Sequence, residues 1–213
     1  MVLSLAACGS SSDNTSTDTN TDTTVTDPAE EELVYERGTV TDNTFSSAFL
    51  GASLTLDDSW LFFDDAQLAE LAGLVQDSFE DEELRKQLDE GASVYEMYAL
   101  HQNDNASVNI TVQNTESSIS SILSEDQYAD LCVEQLPEIM ASAGINVDSI
   151  EKISLDFAGT AHPALSISAT VNNSPLYETI ALVKQGSYIF SITCASYTDA
   201  ATTTDLIAAF QAL

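Results

Sequence analysis

The sequence predicts an α+β fold, an antiparallel β-sheet of about six strands with helices packed on its faces. Three observations carry this reading. The last third of the chain is a series of alternating segments separated by turn residues, which reads as a meander and not as βαβ units. A long amphipathic stretch after Ser124 is the strongest helix signal. The first thirty-odd residues are too polar to join a core, which leaves residues 35–213 as a single globular domain. A domain of that length buries roughly 70% of its unfolded surface, so it needs neither disulfide nor metal to stand.

The elements follow in order. "GTVTDNTFSSAFLGASLTL", from Gly38, reads as strand, turn and strand, with Ala52, Leu54 and Leu56 alternating with Ser53 and Thr55. Asp57, Asp58 and Ser59 turn the chain. Trp60 is read as core, since Leu61, Phe62 and Phe63 follow it. "DDAQLAELAGLVQ" is a short helix capped by Asp65, with Leu68, Leu71, Leu74 and Val75 on one stripe. "EDEELRKQLDEG" is a second short helix or an ordered loop, ended by Gly91.

"SVYEMYALHQ" and "SVNITVQNT" form a hairpin across the turn at 103–105. Strict alternation puts Val94, Glu96, Tyr98 and Leu100 on one face of its first strand. Ser124 with Gln127 makes a capping box for the long helix, whose apolar face carries Tyr128, Leu131, Cys132, Leu136, Ile139 and Met140. Pro137 is expected to kink it or split it near Leu136, and Gly144 ends it. Four strands follow: "SIEKISLDF", "ALSISATV", "LYETIALVK" and "SYIFSITCAS". Asp199 caps a last helix, "AATTTDLIAAFQAL", with Leu206, Ile207, Phe210 and Leu213 facing inward.

Charge narrows the function. Thirty-five acidic residues face five basic ones, a formal net charge of −30. Nucleic acid is excluded, because its binding rests on Lys and Arg contacts to phosphates. Anionic lipid surfaces are disfavoured for the same reason. No apolar run reaches the roughly 18 residues that would suggest a membrane-spanning helix. Attachment to a membrane, if made, is covalent or hydrophobic.

The N-terminus suggests such an attachment. Leu5, Ala6, Ala7 and Cys8 resemble a bacterial lipobox, an aliphatic residue and two small ones before a cysteine. The resemblance implies cleavage before Cys8 and acylation of that residue. Residues 1–8 are read as the clipped end of an export signal. Residues 9–34 are rich in Ser, Thr and Asp and hold seven acidic residues and no base, so they read as a disordered tether. As a flexible coil, about 25 residues span roughly 25–30 Å. Two acyl chains anchor stably where one does not.

A second resemblance covers residues 38–213. "FSSAFLGASLTLDDSW" is similar to the opening of the PsbP-like fold, and "GSYIFSITC" with a terminal helix is similar to its close. The resemblance implies a sheet sandwiched between helices, an extracytoplasmic address and no catalytic residues.

The search for chemistry is thin. There is no G-x-S-x-G elbow. Ser149 and Lys152 spell S-x-x-K without the companion motifs and fall on opposite faces of a strand. His101 at a strand end and His162 in a turn have no metal-ligand spacing. The acidic pairs Asp57–Asp58 and Asp64–Asp65 and the run from Glu80 lack the spacing of a calcium loop, and read as solvated turns and helix starts. Cys132 and Cys194 both point to the core. Both are read as buried free thiols, and an extracytoplasmic address permits a disulfide between them as the alternative.

The expectation is therefore a non-catalytic, monomeric, extracytoplasmic lipoprotein. Cys8 holds it to the outer face of the bacterial cytoplasmic membrane, and it acts on an unidentified protein partner or the envelope. No catalytic residue, metal or cofactor is assigned. The alternative is a small-ligand or cation-binding lipoprotein serving a transporter. A deep pocket with aromatic walls and convergent polar groups would favour it. An enzyme would need a pocket holding His101 or His162 beside a carboxylate.

Overall fold

The computed structural model describes residues 35–72, 81–103 and 105–213. The signal remnant, the tether and Cys8 lie outside the described residues, as do Leu74 and Val75 of the first helix stripe. The architecture is α+β, with every strand pair antiparallel.

The elements are β1 (Thr39–Thr41), β2 (Thr44–Ser47), β3 (Ala52–Thr55), β4 (Trp60–Phe62), α1 (Asp65–Ala72) and α2 (Asp81–Asp89). Then come β5 (Ser93–His101), β6 (Ala106–Asn114), a 3₁₀ turn (Ile119–Ile122) and α3 (Glu125–Ser142). The chain closes with β7 (Ile145–Phe157), β8 (Thr160–Val171), β9 (Ser174–Gln185), β10 (Tyr188–Ser196), α4 (Ala200–Ala208) and β11 (Gln211–Ala212).

The large sheet has seven strands in the order β4-β5-β6-β10-β9-β8-β7. Strands β7 to β10 are the expected meander. Two of its turns are two-residue turns with positive φ at both positions, Asn172–Asn173 (49° and 66°) and Ala158–Gly159 (50° and 82°). That handedness matches the twist of the flanking strands. The N-terminal strands do not join this sheet. They form a separate small sheet, β1-β2-β3-β11.

Two apolar layers fill the faces of the large sheet. One holds Val108, Ile110, Val112, Phe190, Ile192 and Cys194 beneath the small sheet, α1, α2 and α4. The other holds Leu165, Ile167, Leu176, Ile180 and Leu182 beneath Tyr128, Cys132, Leu136 and Met140 of α3.

Several expectations need correction. Helix α3 is not split at Pro137, one of the two outcomes expected there, and runs from Glu125 to Ser142. The missing N–H leaves one carbonyl a turn back without its usual donor, but the buried stripe on both sides of the proline keeps the helix on the sheet. Helix α4 stops at Ala208, and the chain beyond it pairs with β3 through Ala212↔Ala52, which leaves Leu213 66% exposed instead of facing inward. The cap of α1 is Asp64, whose carboxylate accepts the Gln67 N–H at 2.9 Å while the Gln67 side chain accepts from Asp64 N–H at 3.0 Å. Asp65 is the first helical residue. Cys132 and Cys194 are buried free thiols, the first of the two readings taken from the sequence. They lie in the layers on opposite faces of the large sheet, so the disulfide considered from sequence has the sheet itself between its two ends.

Candidate functional site

Strand β5 carries a bulge. Its register with β6 shifts between Tyr95 and Met97, so Glu96 is an extra residue facing no partner of its own. Val94, Met97 and Ala99 pair with Val112, Ile110 and Val108 and share the inner face. The bulge thus overturns the strict alternation expected for this strand, and it re-aims Glu96 toward the segment that leads into β1.

That segment, residues 35–38, crosses over Glu96. The Glu96 side chain is 1% exposed, and neither carboxyl oxygen has a hydrogen bond of full geometry. A Cβ added to Gly38 would stand 3.0 Å from Glu96 Oε2 and 2.4 Å from Phe45, so only glycine allows the backbone this close. Arg37 donates from Nε to the Glu96 carbonyl at 3.4 Å, but its guanidinium tip turns outward to Asp65 at 2.8 Å. Burial pushes the Glu96 carboxyl up to about 7. The Tyr35 hydroxyl, the Arg37 charge, the Gly38 amide and the Ser47 hydroxyl pull back more weakly.

Two half-open recesses flank the same segment. The larger, about 460 Å³, has apolar walls of Val40, Phe62, Phe63, Leu68 and Met97, with Glu96 among its lining residues and Asp64 and Asp65 at its rim. The smaller, about 300 Å³, is lined by Tyr35, Glu36, Leu84 and Arg85. Arg37, Gly38 and Thr39 line both. The Glu96 carboxyl therefore lies beneath the strip of backbone that divides them.

A second polar cluster sits where β8 and β9 part. Their ladder stops at Ala164↔Ala181, while β8 continues with β7 and β9 continues with β10. Pro163 stands at this fork, where a missing N–H costs no ladder bond to β9. Glu125, from the start of α3, fills the gap. Its Oε1 accepts the Lys184 backbone N–H at 2.7 Å, and its Oε2 lies 3.0 Å from His162 Nδ1. The Lys184 ammonium in turn donates to the Ser121 and Leu123 carbonyls, each at 2.7 Å. A recess of about 410 Å³ beside it holds His162, Pro163, Ser154, Lys152 and Asp126. His162 thus lies in strand β8 and not in a turn, which begins the strand at Thr160. Lys152 is held by Asp130 and Asp126, whose hydrogen bonds raise its pKa.

The other sequence candidates stand apart. His101 Nδ1 accepts the Asn103 N–H at 3.2 Å, its Nε2 lies 2.9 Å from Ser59 Oγ, and Trp60 meets its ring edge-on. Asp57 accepts from Ser59 in the adjoining turn, which lowers its pKa. Ser149 is exposed beside a bulge in β7. Among the described residues, no group of three or more His, Cys, Asp or Glu is placed to hold a metal.

Sequence reasoning missed Glu178. It is 1% exposed with neither oxygen hydrogen-bonded, and burial pushes it up to about 7. Ser107, Ala195 and Glu178 lie side by side across β6, β10 and β9. A signal was available, since Leu176, Glu178, Ile180 and Leu182 share one face in a period of two.

Comparison with known proteins adds little. No protein-family model matches the chain, and no curated protein matches it. Among solved structures, it is similar to the solution structure of cyanobacterial PsbP (CyanoP) from Synechocystis sp. PCC 6803. The TM-score is 0.44 at 9% identity, over 87% of this chain and 98% of that one. The α+β architecture stated above rests on this chain's own strands and helices.

Proposed function

We propose that this protein is a non-catalytic, extracytoplasmic lipoprotein that acts by binding, held to the membrane through Cys8. The observation that supports binding is the pair of half-open recesses on either side of residues 37–39. Together they present apolar, acidic and basic side chains on either side of the backbone that divides them. They lie where the domain meets the tether, so a tethered domain would carry them near the membrane. The lipobox and the acidic tether support the address.

The His162–Glu125 pair meets the geometric condition set for an enzyme. We assign it to the fold, because both Glu125 oxygens are already engaged at the strand fork. A second reading, a small-ligand or cation-binding lipoprotein, is favoured by one observation: a buried carboxyl without a hydrogen bond among the residues lining the larger recess.

The anchor is tested by phase partition in a clouding non-ionic detergent. The full chain, produced in bacteria behind an export leader, is expected in the detergent phase, and Cys8→Ala in the aqueous phase. Wild type in the aqueous phase, with no effect of Cys8→Ala, would sink the lipoprotein reading.

A further inference from the structure

We propose that the larger recess binds a primary ammonium group on an aliphatic stem, with Glu96 as the counter-ion and Phe62, Phe63 and Leu68 as the seat of the stem. This deepens the second reading above and rests on it. Four observations converge. Glu96 is nine-tenths and more buried, and although Tyr35, Gly38 and Ser47 stand close, neither of its oxygens has a hydrogen bond of full geometry. A buried carboxyl in that state is costly, and an N–H donor relieves the cost. Arg37 favours the ionised carboxyl through its charge, but its tip hydrogen-bonds Asp65 and not the Glu96 oxygens. The walls are apolar with two phenyl rings, which suit a short alkyl stem and attract a cation to their faces. A recess of about 460 Å³ falls within the usual range for small-molecule sites.

Charge selects the sign of the ligand. Glu96, Asp64 and Asp65 face one cation, Arg37, in the recess, within a chain of net charge −30. Anions are repelled and cations concentrated. The Gly38 backbone packs close over the carboxyl, with a Cβ there standing 3.0 Å from Oε2.

Binding is linked to protons. A neutral Glu96 carboxyl that meets an ammonium gives its proton to solvent and keeps the ion pair, so one proton leaves for each cation bound to the protonated form. The groups that set this balance are Tyr35 and Arg37 from the crossing segment, Asp64 and Asp65 from α1 and its cap, and Arg85 from α2 beyond the segment. Affinity therefore rises with pH through the range in which Glu96 ionises, near 7.

The test uses the full chain and n-butylamine. Amide resonances at 37–40 and 62–68 are expected to shift saturably in a nuclear magnetic resonance titration, and n-butanol, which lacks the charge, to leave them unmoved. Binding should be several-fold tighter at about pH 8 than at about pH 6, with proton release seen by calorimetry in two buffers. Glu96→Gln keeps the shape, weakens binding at least about tenfold and abolishes proton release. Phe62→Ala weakens binding but keeps proton release, which separates the stem's seat from the counter-ion. A capped lysine that binds more tightly than n-butylamine assigns the ammonium to a protein partner; the reverse assigns it to a free amine. No saturable shift in wild type, or equal affinity in Glu96→Gln, overturns the inference. Detergent partition through Cys8 is unaffected by either result, so the two claims fail separately.

Discussion

Glu178 is an acid at a position where the strand pattern calls for an aliphatic side chain. Its ordinary value is 4.5, and burial in the folded chain moves it to about 7. Below the lower value both folded and unfolded chains hold the proton, and no penalty exists. Between the two values only the unfolded chain ionises, so stability falls as pH rises. Above the upper value the loss is complete, on the order of 3 kcal/mol for this one group. Glu96 adds a second loss over the same window. Glu178→Gln is therefore expected to unfold at higher urea concentration than wild type at about pH 8, with the gap closing toward about pH 4.5. An equal pH slope in both proteins would refute the assignment. The position was visible in the sequence as a break in an apolar period of two. Its lack of a partner was not, because that depends on which strands lie beside it.

The long helix shows what local sequence settles. Ser124 and Gln127 close a reciprocal capping box, with Gln127 N–H donating to Ser124 Oγ at 3.2 Å and Ser124 N–H to Gln127 Oε1 at 3.0 Å. Ser124→Ala should cost about 1 kcal/mol in urea unfolding. No loss would mean that the docking of Glu125 at the strand fork fixes the helix start without the cap. The meander, the hairpin and this helix were legible because alternation, turn residues and caps act over a few neighbours. The Glu96 bulge, the fork at Pro163 and the strand at Gln211 were not. Each is decided by a distant partner: the small sheet and crossing segment, the arriving helix α3, and strand β3. Most of the fold was therefore readable, and the candidate site, built from such distant meetings, was not.

At the scale of the molecule, the excess of acid dominates. The few cations are mostly engaged: Arg37 with Asp65, Lys86 with Glu83, Lys152 with Asp126 and Asp130, and Lys184 on two carbonyls. The remaining carboxylates repel one another, more in the compact state than in the unfolded chain. Screening shortens from about 30 Å at 0.01 M salt to about 3 Å at 1 M, so the thermal midpoint should climb with sodium chloride and then level off. A flat or falling midpoint would show that the salt bridges outweigh the repulsion. The small sheet has a different consequence. Its last strand, β11, pairs Gln211 with Ser53, 158 positions apart. That strand closes a loop across nearly the whole described domain, so it is the contact with the most chain entropy to overcome, and the small sheet is the part of the fold expected to form last.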